Sequence, residues 1–170
     1  MLAIGVVRDE RVTSGGELER LYRERGDRLW RAVLAYAADP EVASDAVAEA
    51  FAQALRRGSA IRDPEAWVWR AAFRIAAGEL ADRRRRGAEM PAGAGGAYLA
   101  PEPADELVRA LRALSPKQRA SLVLHHYAGY PVKEVAAILG STSAAVRVHL
   151  SQGRKRVRAL LATTEGDDDA

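Results

Sequence analysis

EVAAILGSTSAAVRVHL, residues 134–150, reads as two helices hinged on a glycine. Val135, Ala136 and Leu139 recur at the spacing of one helix face, and Val146 and Leu150 do the same after the break. Gly140 lies between them, where a left-handed residue closes the first helix and only glycine is free of the steric cost. Ser141, Thr142 and Ser143 then offer a side-chain cap to the second helix and hydroxyls to a phosphate. Helix, glycine turn and basic second helix make the helix-turn-helix pattern, whose second helix enters the major groove by its early residues. On that reading Ala144, Ala145, Arg147, Val148 and His149 face bases or backbone, while Arg154, Lys155, Arg156 and Arg158 reach phosphates. The plainer alternative is a helical hairpin with a solvated basic end. Charge weighs against it: Ser141 to Thr164 holds five basic residues and no acid, whereas a helix facing water usually mixes signs.

Upstream, Ser115-Pro116-Lys117-Gln118 combines a serine N-cap, proline at the first helical position and a glutamine three residues after the cap. That is a capping box, so a helix starts there and is expected to run through Leu122, Val123 and Tyr127 to Gly129. Leu107, Leu111 and Leu114 mark a shorter helix before it. Gly87 to Pro103, with four glycines and three prolines, reads as a linker. Before the linker, Leu18, Leu21, Tyr22, Leu29 and Val33 mark a helix ending near Asp39-Pro40. A second spans Glu41 to Arg57, with Val42, Ala46, Val47, Phe51, Ala54 and Leu55 on one face. A loop from Gly58 to Pro64 leads to a third, Glu65 to Arg86. No alternating apolar pattern of a half-buried strand occurs. The expected fold is all-α, two small helical domains joined by a flexible linker.

Composition limits the function. Apolar residues are 48% but aromatics only 6%, so much of the apolar count is alanine, which favours helix and fills little volume. No run approaches the ~20 apolar residues that cross a bilayer, so no stable membrane insertion is expected. Met1 to Val12 lacks the plan of a secretory signal, and the chain has no cysteine. Both fit a cytoplasmic protein. The three histidines show no metal-ligand spacing, and no nucleophile–base set or phosphate loop is present; neither metal, cofactor nor catalysis is expected.

The net charge of +3 hides a segregated distribution. Asp39 to Ala54 holds four acids and no Lys or Arg, and Glu41, Asp45 and Glu49 stack along one helix stripe. Glu41 offsets the helix dipole, but Glu49, two turns in, does not. Such a face suits a protein partner better than DNA. Arg83 to Arg86 is an unbroken basic run, read either as charge at a helix C-terminus or as a phosphate contact. Trp67 and Phe73 suit a core. Trp69 lies about 200° round the helix from Trp67, leaving one of the two tryptophans for another use, such as stacking on an unpaired base.

Three segments in order resemble the extracytoplasmic-function branch of bacterial sigma factors. Asp45-Ala46-Val47-Ala48-Glu49-Ala50-Phe51 is similar to the family's D-x-V-Q-E-x-F. Ala66-Trp67-Val68-Trp69-Arg70-Ala71-Ala72 is similar to A-W-L-Y-R-I-A. Leu114 to Arg119 and Glu134 to Gly140 look like L-P-x-x-x-R and E-[IV]-A-x-x-L-G. The resemblance implies an N-terminal extension (1–16), a region two domain (17–86), a linker (87–104), a region four helix-turn-helix domain (105–162) and an acidic tail (163–170).

It also implies partners and residue roles. Asp45, Glu49 and Phe51 would lie on the helix that contacts core RNA polymerase. Ser59, Ala60, Ile61 and Arg62 would meet the −10 element and capture a flipped-out base, with Trp69, Arg70, Arg74, Arg83 and Arg84 on the helix that helps part the strands. Thr142, Ser143, Ala144, Ala145, Arg147, Val148, His149, Arg154 and Lys155 would meet the −35 element. An anti-sigma factor is a further partner that membership allows. Departures fall at Ala48, where the family usually has Gln, at Arg74 (often Asn), at Gly78 within a helix, and at Ala144, Ala145, Val148 and His149, which make the reading helix more apolar. A self-sufficient helix-turn-helix regulator with an N-terminal dimerisation or sensing domain is the competing reading; it needs neither the acidic stripe nor the loop before Trp67.

Overall fold

Two Asp-Pro steps set the first half of the fold. The chain, in a computed structural model that describes residues 10–87 and 102–165, is all-α, with seven helices and no strand among the described residues. Helix α1 (Glu10–Ala37) ends on Ala38, which has a φ of 56°. Asp39 then caps α2 (Pro40–Arg57), its Oδ1 accepting from the backbone N–H groups of Glu41 and Val42 at 2.8 and 3.1 Å. Asp63 does the same for α3 (Pro64–Arg85), accepting from Ala66 N–H at 3.0 Å. In both, proline at the first helical position loses no hydrogen bond, since that N–H has no partner in a helix anyway.

Helix α2 buries Val42, Ala43, Ala46, Val47, Ala50, Phe51 and Ala54, a largely alanine face that lets α1 and α3 come close. Leu55, expected on that face, is instead 58% exposed. It falls one position past Ala54, so it turns out of the stripe. Gly58 closes α2 at φ 54°, ψ −133°, a conformation reserved for glycine, and a single 3-10 turn (Gly58–Ala60) follows.

The second half begins with α4 (Glu102–Arg112), whose first residues fall within the span expected to be linker. Residues 88–101 of that linker, the extension before Glu10 and the tail after Glu165 lie outside the described residues. The capping box is present: Ser115 N–H donates to Gln118 Oε1, and Gln118 N–H to Ser115 Oγ, both at 3.3 Å. Helix α5 (Pro116–Leu122) does not continue regularly to Gly129. It loosens into one π-helical turn (Val123–Tyr127), with Ala128 N–H donating to Val123 O at 3.0 Å. Helix α6 (Val132–Leu139) ends on Gly140 at φ 59°, ψ 42°, with Ser141 N–H returning to Ala136 O at 2.9 Å. Helix α7 (Ser143–Glu165) crosses α5 at Gly153, where a Cβ would stand 3.0 Å from Leu122.

The two halves pack on each other. Helix α3 meets α6, and α1 meets α4, α5 and the π turn. Arg28 of α1 donates to the carbonyls of Tyr127 and Ala128 at 3.0 and 3.1 Å. Arg119, buried in α5, stacks its guanidinium over the Tyr36 ring, 5.9 Å from its centroid, and donates to Arg112 O. Burial works against the charge of Arg119 and pushes the Tyr36 phenol up.

Ala38 carries a Cβ into the left-handed region, at a cost of about 1–2 kcal/mol. Ala38→Gly should therefore stabilise the fold by roughly 1 kcal/mol, raising Tm by about 2–4 °C; thermal unfolding followed by circular dichroism checks this, and a lowered Tm would refute it.

Candidate nucleic-acid interface

The reading unit is built from α6 and α7. Val135, Ala136 and Ile138 of α6 are buried with Val146 and Leu150 of α7. Ile138 takes the place expected for Leu139, which is only partly covered. Among the three residues of the turn it is Thr142 that caps α7, its Oγ1 accepting from Ala145 N–H at 3.1 Å. Ala144, Arg147 and Val148 are exposed at the start of α7, Ser143 and Ala145 are half-covered, and Lys155 is exposed two turns on. The His149 ring is half-buried, with Nδ1 closed off from solvent. Arg154 is exposed and also lines a cavity whose other walls include α1.

The second candidate surface is the loop before α3. Ser59, Ala60 and Arg62 are exposed and Ile61 is half-buried. The loop borders a cavity of about 380 Å³ whose other walls are Trp67 and Arg70 of α3 and Tyr130, Glu134 and Ile138 at α6. Trp67 lies partly open, with the Arg57 guanidinium 5.4 Å from its ring centroid. Aromatic face, cations and carboxylates around one cleft are the groups that hold a single base by stacking and hydrogen bonds.

Trp69, and not Trp67, is the buried tryptophan of the pair. It is 3% exposed, stacked along Phe73 at 6.3 Å and met edge-on by Tyr130 at 5.6 Å. The expectation that Trp67 joins Phe73 in the core and leaves Trp69 for DNA is reversed for the two tryptophans; the tyrosine that packs on Trp69 comes from the other half of the chain, beyond any local pattern. Tyr130 is held in turn by His125, whose Nδ1–H donates to its carbonyl at 2.8 Å. Burial, then the nearby carboxylates of Glu65, Asp63 and Glu134, pushes the Tyr130 phenol well up, so it stays a neutral hydroxyl.

The basic run divides. Arg83 bonds Asp39 Oδ2 at 2.5 Å and Glu79 Oε1 at 3.0 Å, with Glu41 at 3.9 Å. Glu79 foremost raises its pKa. Its charge is spent holding α3 to the start of α2, which removes it as a free phosphate contact in this arrangement. Arg84 donates from Nε to Leu80 O at 3.2 Å, Arg70 is half-buried, and Arg74 is exposed.

On α2, Glu41 and Asp45 are exposed. Glu49 accepts from Gln53 at 2.9 Å and Arg56 at 2.7 Å, and those two bonds, Gln53 first, lower its pKa. Phe51 lies on the helix but points inward, edge-on to Tyr22 at 5.1 Å. Leu55 is an exposed apolar residue near the end of the same helix, turned about 80° from Asp45 and 120° from Glu49 by helical geometry. Sequence reading missed it, although the Ala54-Leu55 step carried the signal.

A family profile described as "Sigma-70, region 4" matches residues 104–157. The ECF RNA polymerase sigma factor SigJ of Mycobacterium tuberculosis is 32% identical over 142 residues, covering 75% of this chain and 46% of that protein. The chain thus spans about half the length of the curated relative it matches. Its crystal structure superposes with a TM-score of 0.58 at 26% identity, over 86% of this chain and 53% of that one. The sigma factor RpoE, solved with the anti-sigma factor NepR from Bartonella quintana, gives a TM-score of 0.68 at 19% identity, covering 86% and 97%. CnrH, solved with the cytosolic domain of CnrY, gives 0.66 at 21% identity, covering 91% and 93%. The last two are alike in fold.

Arg83→Ala should cost roughly 2–3 kcal/mol of stability, because it strands the buried Asp39 carboxylate, while Arg74→Ala at an exposed site should stay within about 0.5 kcal/mol. Urea unfolding separates the two; equal costs would mean that Arg83 is not a structural residue.

Proposed function

We propose that the chain is a member of the extracytoplasmic-function family of sigma factors, and that it binds core RNA polymerase and directs it to promoters for transcription initiation. The observation that carries the reading is the presence, in one chain, of a helix pair built to read DNA and an acidic helix face that DNA would repel. A regulator acting alone has no use for the second. Residues 17–86 are the polymerase and −10 unit, residues 105–162 the −35 unit and 87–104 the linker between them. Asp45 and Glu49 of α2 meet the polymerase, with Phe51 supporting the helix from behind. The chain works in the cytoplasm, where the polymerase is, and performs no catalysis itself.

At the −10 element, Ser59 to Arg62 receive a base turned out of the duplex. Turning it out costs a few kcal/mol, which stacking on Trp67 and hydrogen bonds from Arg62 and Arg70 offset. At the −35 element, Arg147 and its neighbours at the start of α7 enter the major groove, where Ala144, Ala145 and Val148 favour thymine methyl groups. The −10 loop cannot do this while α6 lies across it. The two halves must part before promoter DNA enters, and the drive to part them comes from polymerase contacts that the closed form lacks. An anti-sigma factor that binds the closed form is the natural antagonist; RpoE, which is similar in fold, was solved with an anti-sigma factor.

Glu49→Arg should abolish co-purification with core polymerase while leaving the helical circular dichroism unchanged, since it reverses charge on a half-exposed helix face; retained association would remove α2 as the contact. In transcription reconstituted with core polymerase, Arg147→Ala should lower promoter-specific output about tenfold, and Arg158→Ala much less. Equal losses would place the reading surface elsewhere. Tight, dimeric, sequence-specific duplex binding by the protein alone would contradict the sigma reading.

A further inference from the structure

A second cavity, of about 410 Å³, lies on another side of the junction between the halves. Its walls are Ala35 of α1, Leu107, Val108 and Leu111 of α4, Leu122 and Val123 of α5 and the π turn, and Val157 of α7. At its mouth Leu107 and Tyr127 are 44% and 45% exposed, two of the large apolar side chains that the described surface leaves most open. The rim is cationic: Arg31, Arg154, Arg158 and His126 line it, and no acid does among the described residues. None of those arginines takes part in an ion pair among the described residues. Burial foremost, with His125 and Arg154 beside it, lowers the His126 pKa, so the rim charge is that of the guanidinium groups.

An apolar interior with an unopposed basic rim selects a molecule with an apolar body and an anionic head. The volume lies within the ~300–1,000 Å³ of small-ligand sites, which favour domain junctions. We propose that this cavity binds a small amphipathic carboxylate of the fatty-acid type, its chain against Leu107, Leu111 and Val157 and its head at Arg31, Arg154 and Arg158. Because α1 forms one wall and α4, α5 and α7 the other, such a ligand braces the closed form and stabilises it by mass action. The binding claim stands apart from the role in transcription.

The test is isothermal titration of the full-length protein with dodecanoate below its micelle-forming concentration. Saturable one-to-one binding is expected, with magnetisation transfer from the alkyl chain to the His126 ring. Dodecanol should bind at least roughly tenfold more weakly, as should dodecanoate to Arg31→Glu and Leu107→Glu, each having lost one charge-assisted or apolar contact. Both positions are exposed, so these variants keep the fold, and circular dichroism verifies that they do. Absence of saturable binding, equal affinity for dodecanol, or affinity unchanged in both variants would overturn the proposal. So would tightening of more than tenfold on removal of residues 166–170, which would make the chain's own acidic tail the occupant.

Discussion

The packing of Tyr130 on Trp69 is the contact on which the arrangement of the two halves turns. Trp69 stacks along Phe73 of its own bundle on one side and meets Tyr130 on another, at the face of α3 that α6 covers. Tyr130 covers it from the turn before α6 and is itself held by His125 and by the two carbonyl contacts of Arg28 beside it. An aromatic pair contributes about 0.5–1.5 kcal/mol beyond its buried area, and hydrogen bonds from a charged donor ~1.5–3 kcal/mol each. Closure is thus a matter of several kcal/mol. That holds the halves together in isolation and still lies within reach of a large partner surface.

The same contact explains why the −10 loop and the reading helix pair cannot be judged separately. Helix α6 buries one side on α7 and turns the other to α3, so the cleft bordered by Arg62, Trp67 and Arg70 is closed by Glu134 and Ile138. Opening would uncover Trp69 as well as the loop. A partner that offers the α3 face a replacement for Tyr130 recovers part of that cost.

Much of this was legible in sequence because it is local. The capping box at Ser115, the glycine stop at Gly140, the proline-initiated helices and the apolar stripes all depend on residues within a turn or two of each other. The acidic face of α2 was legible for the same reason. What sequence could not show depends on what comes from far along the chain. Trp69 is met by a residue 61 positions away (130 − 69), Arg83 is drawn to Asp39, and Arg154 also lines a cavity with residues of α1. Leu55 and Leu139 were misplaced by one position, the uncertainty that a stripe on an alanine-rich helix leaves. The apolar cavity beneath Leu107 had no sequence signal, since its walls come from four separate helices.

The central claim is that the closed molecule opens to work. The chain has no cysteine, so spin labels placed at Asp27→Cys on α1 and Lys133→Cys on α6, both exposed and one on each half, report that one separation by pulsed electron resonance. A short, narrow distance distribution in the free protein, lengthening on assembly with core polymerase and promoter DNA, is the result the structure requires. The same short distance in a complex that is transcribing would contradict it.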